Sequence, residues 1–138
     1  MENKSSFQFE TFIINKSLFQ LKENSQVSDL SIGFNPSGKL DLENQLFNLE
    51  LAVFISDSSE AFKVEIESVG FFKFENIEKD NLSSFLYHNA PALLFPYLRA
   101  YISTLTTLSG IKPVVLPTLN LSNLKDELEQ NIVETSLK

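Results

Sequence analysis

The chain has 138 residues, of which 43% are hydrophobic, and its formal net charge is -7. This acidic balance argues against nucleic acid as a partner, because nucleic-acid binding needs a basic face. With no cysteine and a single histidine, the sequence excludes disulfides and thiolate metal sites and disfavours a histidine metal site or a Ser-His triad.

The length and the first residues of the chain predict its organisation and location. A chain of this size corresponds to one domain, here residues 1–138. The first residues are polar, so no signal peptide is predicted, and no apolar run approaches the roughly 18 residues of a membrane span. We therefore expect a cytoplasmic protein without membrane insertion.

Alternating apolar residues predict the first two strands. The pattern of Phe7 and Phe9 changes phase at Phe12 and Ile14, which indicates a bulge in the first strand. The second strand is expected to end at residues 35–38, Asn-Pro-Ser-Gly, because these are turn residues.

The third and fourth strands are predicted to form a hairpin. Residues 47–55 alternate strictly between apolar and polar, and the short turn at 57–60 leads into a second alternating run at 62–66. The apolar phase then changes near Gly70, which predicts a bulge there. Four strands followed by helices indicate an α+β domain with an antiparallel sheet.

Two shorter helices are predicted on either side of a long one. The first covers residues 81–87, with Asp80 as its N-cap, and is broken at 89–91, Asn-Ala-Pro. The last covers residues 122 to about 134, with Ile132 and Val133 at the end of its apolar side.

The long helix is predicted to end at Gly110 and either to begin at Pro96 or to be kinked there. Its apolar arc is wider than one stripe, so it needs cover on a second side, from its own sheet or from another copy of the protein. The residues of this arc are Leu94, Phe95, Leu98, Tyr101, Ile102, Leu105 and Leu108.

An apolar connector follows the long helix. Residues 111–121 are as hydrophobic as a core strand, but Pro113 and Pro117 remove backbone donors and prevent a central strand or a helix. The connector is either a surface loop that contacts apolar partners or a loop tucked against the end of the sheet. The pattern leaves both interpretations open.

The chain has no constellation of residues that predicts catalysis. It contains no Gly-rich phosphate loop, and Glu65 and Glu67 alternate with inward residues, so both are expected to face solvent. His88, beside the Asn-Ala-Pro break, is expected to hydrogen-bond at a helix end. We therefore predict that the protein is not an enzyme and needs no cofactor or metal.

One run of residues resembles a known family. The sequence Leu94-Phe-Pro-Tyr97, the proline-containing connector after the long helix, and Gly70-Phe71-Phe72 at the end of the fourth strand are similar to motifs of the SecB family of export chaperones. The resemblance in element order covers about residues 7 to 134.

The resemblance implies an α+β fold: a four-stranded antiparallel sheet with a long helix and a C-terminal helix packed on one face. It also implies a homotetramer, a dimer of dimers, that binds unfolded or precursor proteins in a surface groove without ATP. The client-binding residues that it implies are Phe19, Leu21, Ile111, Val114, Val115, Leu116, Leu119 and Leu121. The oligomer interface that it implies consists of Leu94, Leu98, Tyr101, Ile102 and Leu105.

The family contacts its export motor, SecA, through acidic residues on the outer sheet face. Glu65 falls at one such position, but Lys63 stands two residues before it and the region near Ser17 lacks the expected acid. The sequence therefore leaves two alternatives to a general export chaperone. One is a SecB-like chaperone dedicated to a single client such as an antitoxin, and the other is an oligomeric interaction protein without chaperone function.

Overall fold

The structure is a computed structural model that describes residues 4–23, 27, 29–117 and 121–138, with only the backbone described for 121–123. Its strands are β1 Ser6–Leu21, β2 Leu30–Asp41, β3 Leu46–Asp57, β4 Phe62–Glu75 and β5 Ile132–Glu134. Its helices are α1 Lys79–Ser84, α2 Ala90–Leu108 and α3 Leu121–Gln130, and a π-helical turn, Phe85–Asn89, joins α1 to α2.

The strands form one sheet in the order β1-β4-β3-β2-β5. The pairings among β1 to β4 are antiparallel, whereas β5 runs parallel to β2. Helix α2 packs over β4 and β1, and α3 packs over β2, so the core lies between the helices and the inner face of the sheet. The predicted α+β fold is confirmed, but the sheet has five strands instead of four.

The fifth strand replaces the predicted end of the last helix. Helix α3 stops at Gln130, and the β-branched residues Ile132 and Val133 continue as β5. Their spacing after Leu128 also fits a helix, so periodicity could not distinguish the two structures. What decides in favour of a strand is the free edge of β2, which pairs with β5 at residues 38–40.

The bulge predicted in β1 is confirmed, and the bulge predicted in β4 is wrong. The register of β1 against β4 shifts between Phe9 and Thr11 and again between Ile14 and Lys16. Strand β4 keeps one register against β3 through Gly70. Its inward positions, which are all buried, are Phe62, Val64, Ile66, Ser68, Gly70, Phe72 and Phe74.

Ser68 and Gly70 explain why the sequence of β4 predicts a bulge that the structure does not contain. Each occupies an inward position that an apolar residue would normally mark. The Ser68 hydroxyl donates to the carbonyl oxygen of Leu51 at 2.7 Å, which makes its burial acceptable. A Cβ on Gly70 would lie 3.3 Å from Cδ2 of Leu94, so glycine lets α2 approach the sheet closely.

Strand β2 also differs from its prediction, because it continues through residues 35–38 to Asp41. Pro36 is compatible with this strand because β5 pairs with β2 only at 38–40, so no described strand needs an N–H from residue 36 on that side.

The helical region is continuous where a break was predicted. Helix α1 begins at Lys79 with Glu78 as its N-cap, so Asp80 is not the cap. The π-helical turn carries the chain past residues 89–91, and α2 begins at Ala90 with Pro96 in its interior. Gly110, with a φ of 88°, follows the end of α2 as predicted. Within the described residues, no helix is both long and apolar enough to cross a membrane.

A buried carboxylate fixes the residues after β5. Asp41 Oδ2 accepts hydrogen bonds from the Leu137 backbone N–H at 2.8 Å and from Asn44 Nδ2 at 2.7 Å. The Leu137 N–H, with help from Asn44, lowers the pKa of Asp41 below its ordinary value.

Acid should therefore release Leu137 from Asp41. Because the folded pKa is lowered, the stabilisation is complete above the ordinary value of about 3.9 and is lost as the pH falls through the folded pKa. An NMR titration of the Leu137 amide should show this transition, and Asp41→Asn, which cannot titrate, should abolish it. A wild-type Leu137 amide shift that stays constant into acid would contradict this assignment.

Candidate interaction surfaces

The inner side of α2 is covered by the protein's own sheet. Leu94, Leu98 and Ile102, three residues predicted for an oligomer interface, are fully buried within the subunit. These side chains therefore have no surface left to offer a second copy. Helical spacing correctly found an apolar stripe here but could not tell which of the two apolar sides faces the sheet.

The outer side of α2 remains open. Together with β1 it forms a groove of about 460 Å³, which we call the α2–β1 groove. Tyr97 is 48% exposed and Leu108 is 81% exposed, whereas Tyr101 and Leu105 are half-buried. The residues that line the groove are Phe12, Tyr97, Ala100, Tyr101, Thr104, Leu105 and Leu108. Of the predicted interface, only Tyr101 and Leu105 face this groove.

Aromatic contacts hold α2 against β1 at the base of the groove. The Tyr97 ring lies 5.4 Å from the ring of Phe9 and 5.0 Å from that of Phe12, both in tilted geometry. The Tyr101 hydroxyl donates to Ser17 Oγ at 2.6 Å. Tyr97, though part of the Leu-Phe-Pro-Tyr run, was not predicted as an interface residue. The spacing of Tyr97, three residues before Ala100 and four before Tyr101, places these residues on one side of a helix and could have identified it.

The connector is docked onto α2 through one residue. The Val114 N–H donates to Thr106 Oγ1 at 2.9 Å, and Ser103 Oγ donates to the Val114 carbonyl oxygen at 3.0 Å. Thr106 is fully buried, and its hydroxyl donates in turn to the Ile102 carbonyl oxygen at 2.9 Å. Two hydroxyl groups of α2 therefore satisfy both backbone polar groups of Val114, which lets an irregular segment pack against a helix.

Docking divides the predicted client-binding residues of the connector into two groups. Val114 and Leu116 point into the core and are buried, whereas Val115 between them is 57% exposed. Ile111 is half-buried. The structure therefore combines the two open interpretations, since the connector is tucked in at alternate residues and presents Val115 to solvent. Leu119 and the side chain of Leu121 lie outside the described residues.

Half-buried residues of the sheet complete the apolar surface. Phe19 and Leu21, at the end of β1, are half-buried, and the Phe19 ring packs edge-on against Phe62 at 5.7 Å. On β2, Ile32 and Phe34 are half-buried and pack against the same hydrophobic core as Val114 and Leu116. Ile32 and Phe34 lie on the inner face of the sheet, and the helices leave both partly open.

The outer sheet face carries mixed charges near Glu65. The Glu65 carboxylate lies 2.8 Å from Lys16 Nζ and 3.0 Å from Lys63 Nζ. These two lysines, Lys16 first, lower the pKa of Glu65 below its ordinary value. Lys39 with Glu50 at 3.5 Å and Lys73 with Glu10 at 3.1 Å add further ion pairs. Glu65 is therefore neutralised by its neighbours and does not belong to an acidic patch.

The described part of the chain offers no metal site, because no three histidine or carboxylate side chains come together within it. His88 is half-buried at the end of the π-helical turn. Two apolar surfaces are the candidates for function that we consider, the α2–β1 groove and the connector.

The chain resembles known proteins in sequence and in fold. It is 29% identical over 101 residues to the protein-export protein SecB of Aromatoleum aromaticum, covering 65% of this chain and 64% of that relative. It is also 37% identical over 67 residues to MJ0357, an uncharacterized protein of Methanocaldococcus jannaschii, covering 49% of this chain and 43% of the relative. The chain thus spans about two fifths to two thirds of the length of these relatives.

A solved structure shares the fold. It is the SecB-like chaperone Rv1957 of Mycobacterium tuberculosis in complex with a ChAD peptide from the Rv1956 HigA1 antitoxin. The two chains superpose with a TM-score of 0.69 at 16% identity, covering 83% of this chain and 88% of that one. The family model for SecB, preprotein translocase subunit, matches residues 7–131. This chain therefore belongs to the SecB family.

Proposed function

We propose that this protein is a chaperone that holds unfolded polypeptide chains without nucleotide and works as a homotetramer, a dimer of dimers. The observation that carries the proposal is that the subunit leaves two apolar surfaces open, the α2–β1 groove and the connector around Val115. Membership of the SecB family supports a role in binding or exporting polypeptides.

The α2–β1 groove suits self-assembly. Its residues lie on one regular helix and one long strand, and rigid apolar surfaces of this kind are typical of interfaces between subunits. A stripe as exposed as Tyr97 and Leu108 on an isolated subunit would also favour aggregation unless a partner covered it. We assign this groove to the contact between copies of the chain.

The connector suits client binding. Val115 and Ile111 lie on an irregular segment, and the half-buried Ile32 and Phe34 add apolar area on β2. Partly exposed side chains of this kind can contact extended chains with little sequence preference. Binding the unfolded form shifts its folding equilibrium by mass action, so no hydrolysis step is required.

The pairing of Glu65 favours one alternative, a chaperone dedicated to a single client. SecA, which contacts an acidic sheet face in the family, would here encounter a Glu65 carboxylate that is already paired with Lys16 and Lys63. The solved structure of Rv1957 with an antitoxin peptide offers a precedent for such a client in the same fold. Binding of purified SecA would favour general export instead.

Holding should be measurable as suppression of aggregation. We expect the protein to prevent aggregation of a chemically denatured test protein at near-stoichiometric ratios, equally with and without ATP. Val115→Asp should weaken client binding about tenfold, because burial of a valine side chain contributes about 1.5 kcal/mol and 1.4 kcal/mol corresponds to a factor of ten.

The matched control for this experiment is Val133→Asp, which alters a similarly exposed valine on β5 and should leave holding unchanged. A wild-type protein that suppresses the aggregation of none of several unrelated denatured proteins would contradict general holding and would leave only the chaperone dedicated to a single client. Equal losses of client binding in the two variants would show that the connector is not part of the client-binding surface.

Assembly should depend on the outer side of α2. Leu108→Glu combined with Tyr97→Glu should convert the oligomer into smaller species, because both side chains would bring charge into an apolar contact. Multi-angle light scattering measures the mass directly. Leu42→Glu, at an exposed leucine in the turn after β2, is the control and should keep the wild-type mass. The assignment of the groove is wrong if the double variant also keeps that mass.

Thr106 should be required for docking of the connector. Thr106→Val keeps the shape but leaves the buried Val114 N–H without its acceptor, so the free energy of unfolding should fall by about 1–3 kcal/mol. Thr106→Ser retains the hydroxyl and should lose less. Urea unfolding of the three proteins gives the comparison, and a Thr106→Val protein as stable as wild type would show that the hydroxyl is not the anchor.

A further inference from the structure

Arg99 is the only charged residue of helix α2, and it lies on the side of the helix that holds the connector. It follows Phe95 by four residues and precedes Ser103 by four, a spacing that places the three side chains in one row. Ser103 is one of the two residues that bind the backbone of Val114. The row therefore runs from Phe95 through Arg99 to the docked connector.

The opposite side of α2 carries the α2–β1 groove. At 3.6 residues per turn, Tyr97 and Tyr101 each lie roughly 160° around the helix from Arg99. Both tyrosines line the groove that we assign to the contact between copies. Arg99 is therefore separate from that groove and belongs with the surface that we assign to clients.

Apolar side chains adjoin Arg99 along its row. The ring of Phe95, which is 8% exposed, lies 6.0 Å from the ring of the half-buried Phe34 on β2. In the other direction, beyond Ser103, the connector presents Val115 to solvent. Arg99 thus adds a positive charge to a surface that is otherwise apolar.

Arg99 has no charged partner among the described residues. It is exposed, and none of the ion pairs in the described part of the chain includes it. The residues three and four positions away on α2 are uncharged, so no pair within the helix forms: Phe95, Pro96, Ile102 and Ser103. By contrast, all the lysines of the strands lie within 3.5 Å of a carboxylate: Lys16, Lys39, Lys63 and Lys73.

A free arginine is unexpected in a chain with 18 acidic and 11 basic residues. Since Arg99 stabilises the subunit through no ion pair in the described residues, its charge is available to a ligand. A guanidinium group presents five N–H donors in one plane and can bind both oxygens of a carboxylate at once.

We propose that Arg99 determines the specificity of the client surface by binding an Asp or Glu side chain of the client. The apolar residues of the same client segment would lie on Phe34 and the connector. The preferred client is then an apolar segment that carries an acidic residue. This inference rests on the proposed function, because it takes the connector as the surface that binds clients.

Matched peptides measure this preference. An array of peptides rich in Leu, Phe and Val holds each sequence in two versions, with a central Glu or a central Gln, and identifies the sequences that the wild-type protein binds. For these sequences, fluorescence anisotropy at low ionic strength should show about three- to fivefold tighter binding of the Glu version, as expected for an exposed ion pair. Arg99→Gln should remove this difference. Arg99→Lys keeps the charge but not the planar donors, and it should retain part of the difference.

The matched control is Lys112→Gln, because Lys112 is an exposed cation within the connector itself. This variant should keep the wild-type ratio between the two affinities. If Lys112→Gln and Arg99→Gln reduce the ratio equally, the preference comes from the general charge of the surface and the proposal is wrong. A wild-type ratio near one, with both versions bound, would also overturn it but would leave the holding of clients intact. A wild-type protein that binds no peptide of the array would contradict both this proposal and general holding.

Discussion

Helix α2 is apolar on two sides, and the sheet of its own subunit covers only one of them. The inner side, Leu94, Leu98 and Ile102, forms the centre of the core and is pressed close to β4 at Gly70. The outer side, from Tyr97 to Leu108, remains open beside β1. One helix therefore stabilises the subunit with its inner side and leaves apolar residues exposed on its outer side, and the proposed oligomer is based on that exposed side.

The connector depends on the same helix. Because Ser103 and Thr106 satisfy the backbone of Val114, a segment that proline prevents from forming regular structure can lie against α2 with alternate residues buried. Val115 is thereby held at the surface while its neighbours contribute to the core. The proposed function uses this exposed valine as a contact for unfolded chains and reserves the α2–β1 groove for the proposed contact between copies.

Much of the architecture could be predicted from local patterns. The strict alternation of β3, the bulge at Phe9 to Thr11, and Gly110 as the stop of α2 all reflect chemistry within a few residues. The errors arose where a distant element decides the outcome. Gly70 occupies an inward position of β4 where Leu94 approaches closely, and Pro36 stays within β2 because no described strand pairs with it on its outer side. Ile132 joins the sheet because β2 has an unpaired edge at residues 38–40.

The candidate site shows the same division. The sequence identified a helix with more apolar surface than one contact needs and an apolar connector that contains two prolines. The resemblance to the SecB family implied their roles in assembly and in client binding. The sequence could not say which side of α2 faces the sheet, or that Val114 and Leu116 turn inward while Val115 turns outward. These orientations depend on how α2 and the connector are rotated against the core. The periodicity of a single sequence does not determine that rotation.

In the proposed function the connector binds clients and the α2–β1 groove joins copies of the chain. Hydrogen exchange of the wild-type protein with and without an excess of unfolded client tests this division directly. We predict that the client slows exchange at Val115 and around Phe34, while the backbone of α2 near Tyr97 and Leu108 exchanges at the same rate in both samples. Slower exchange confined to α2 and β1, with the connector unaffected, would contradict this division between client binding and assembly.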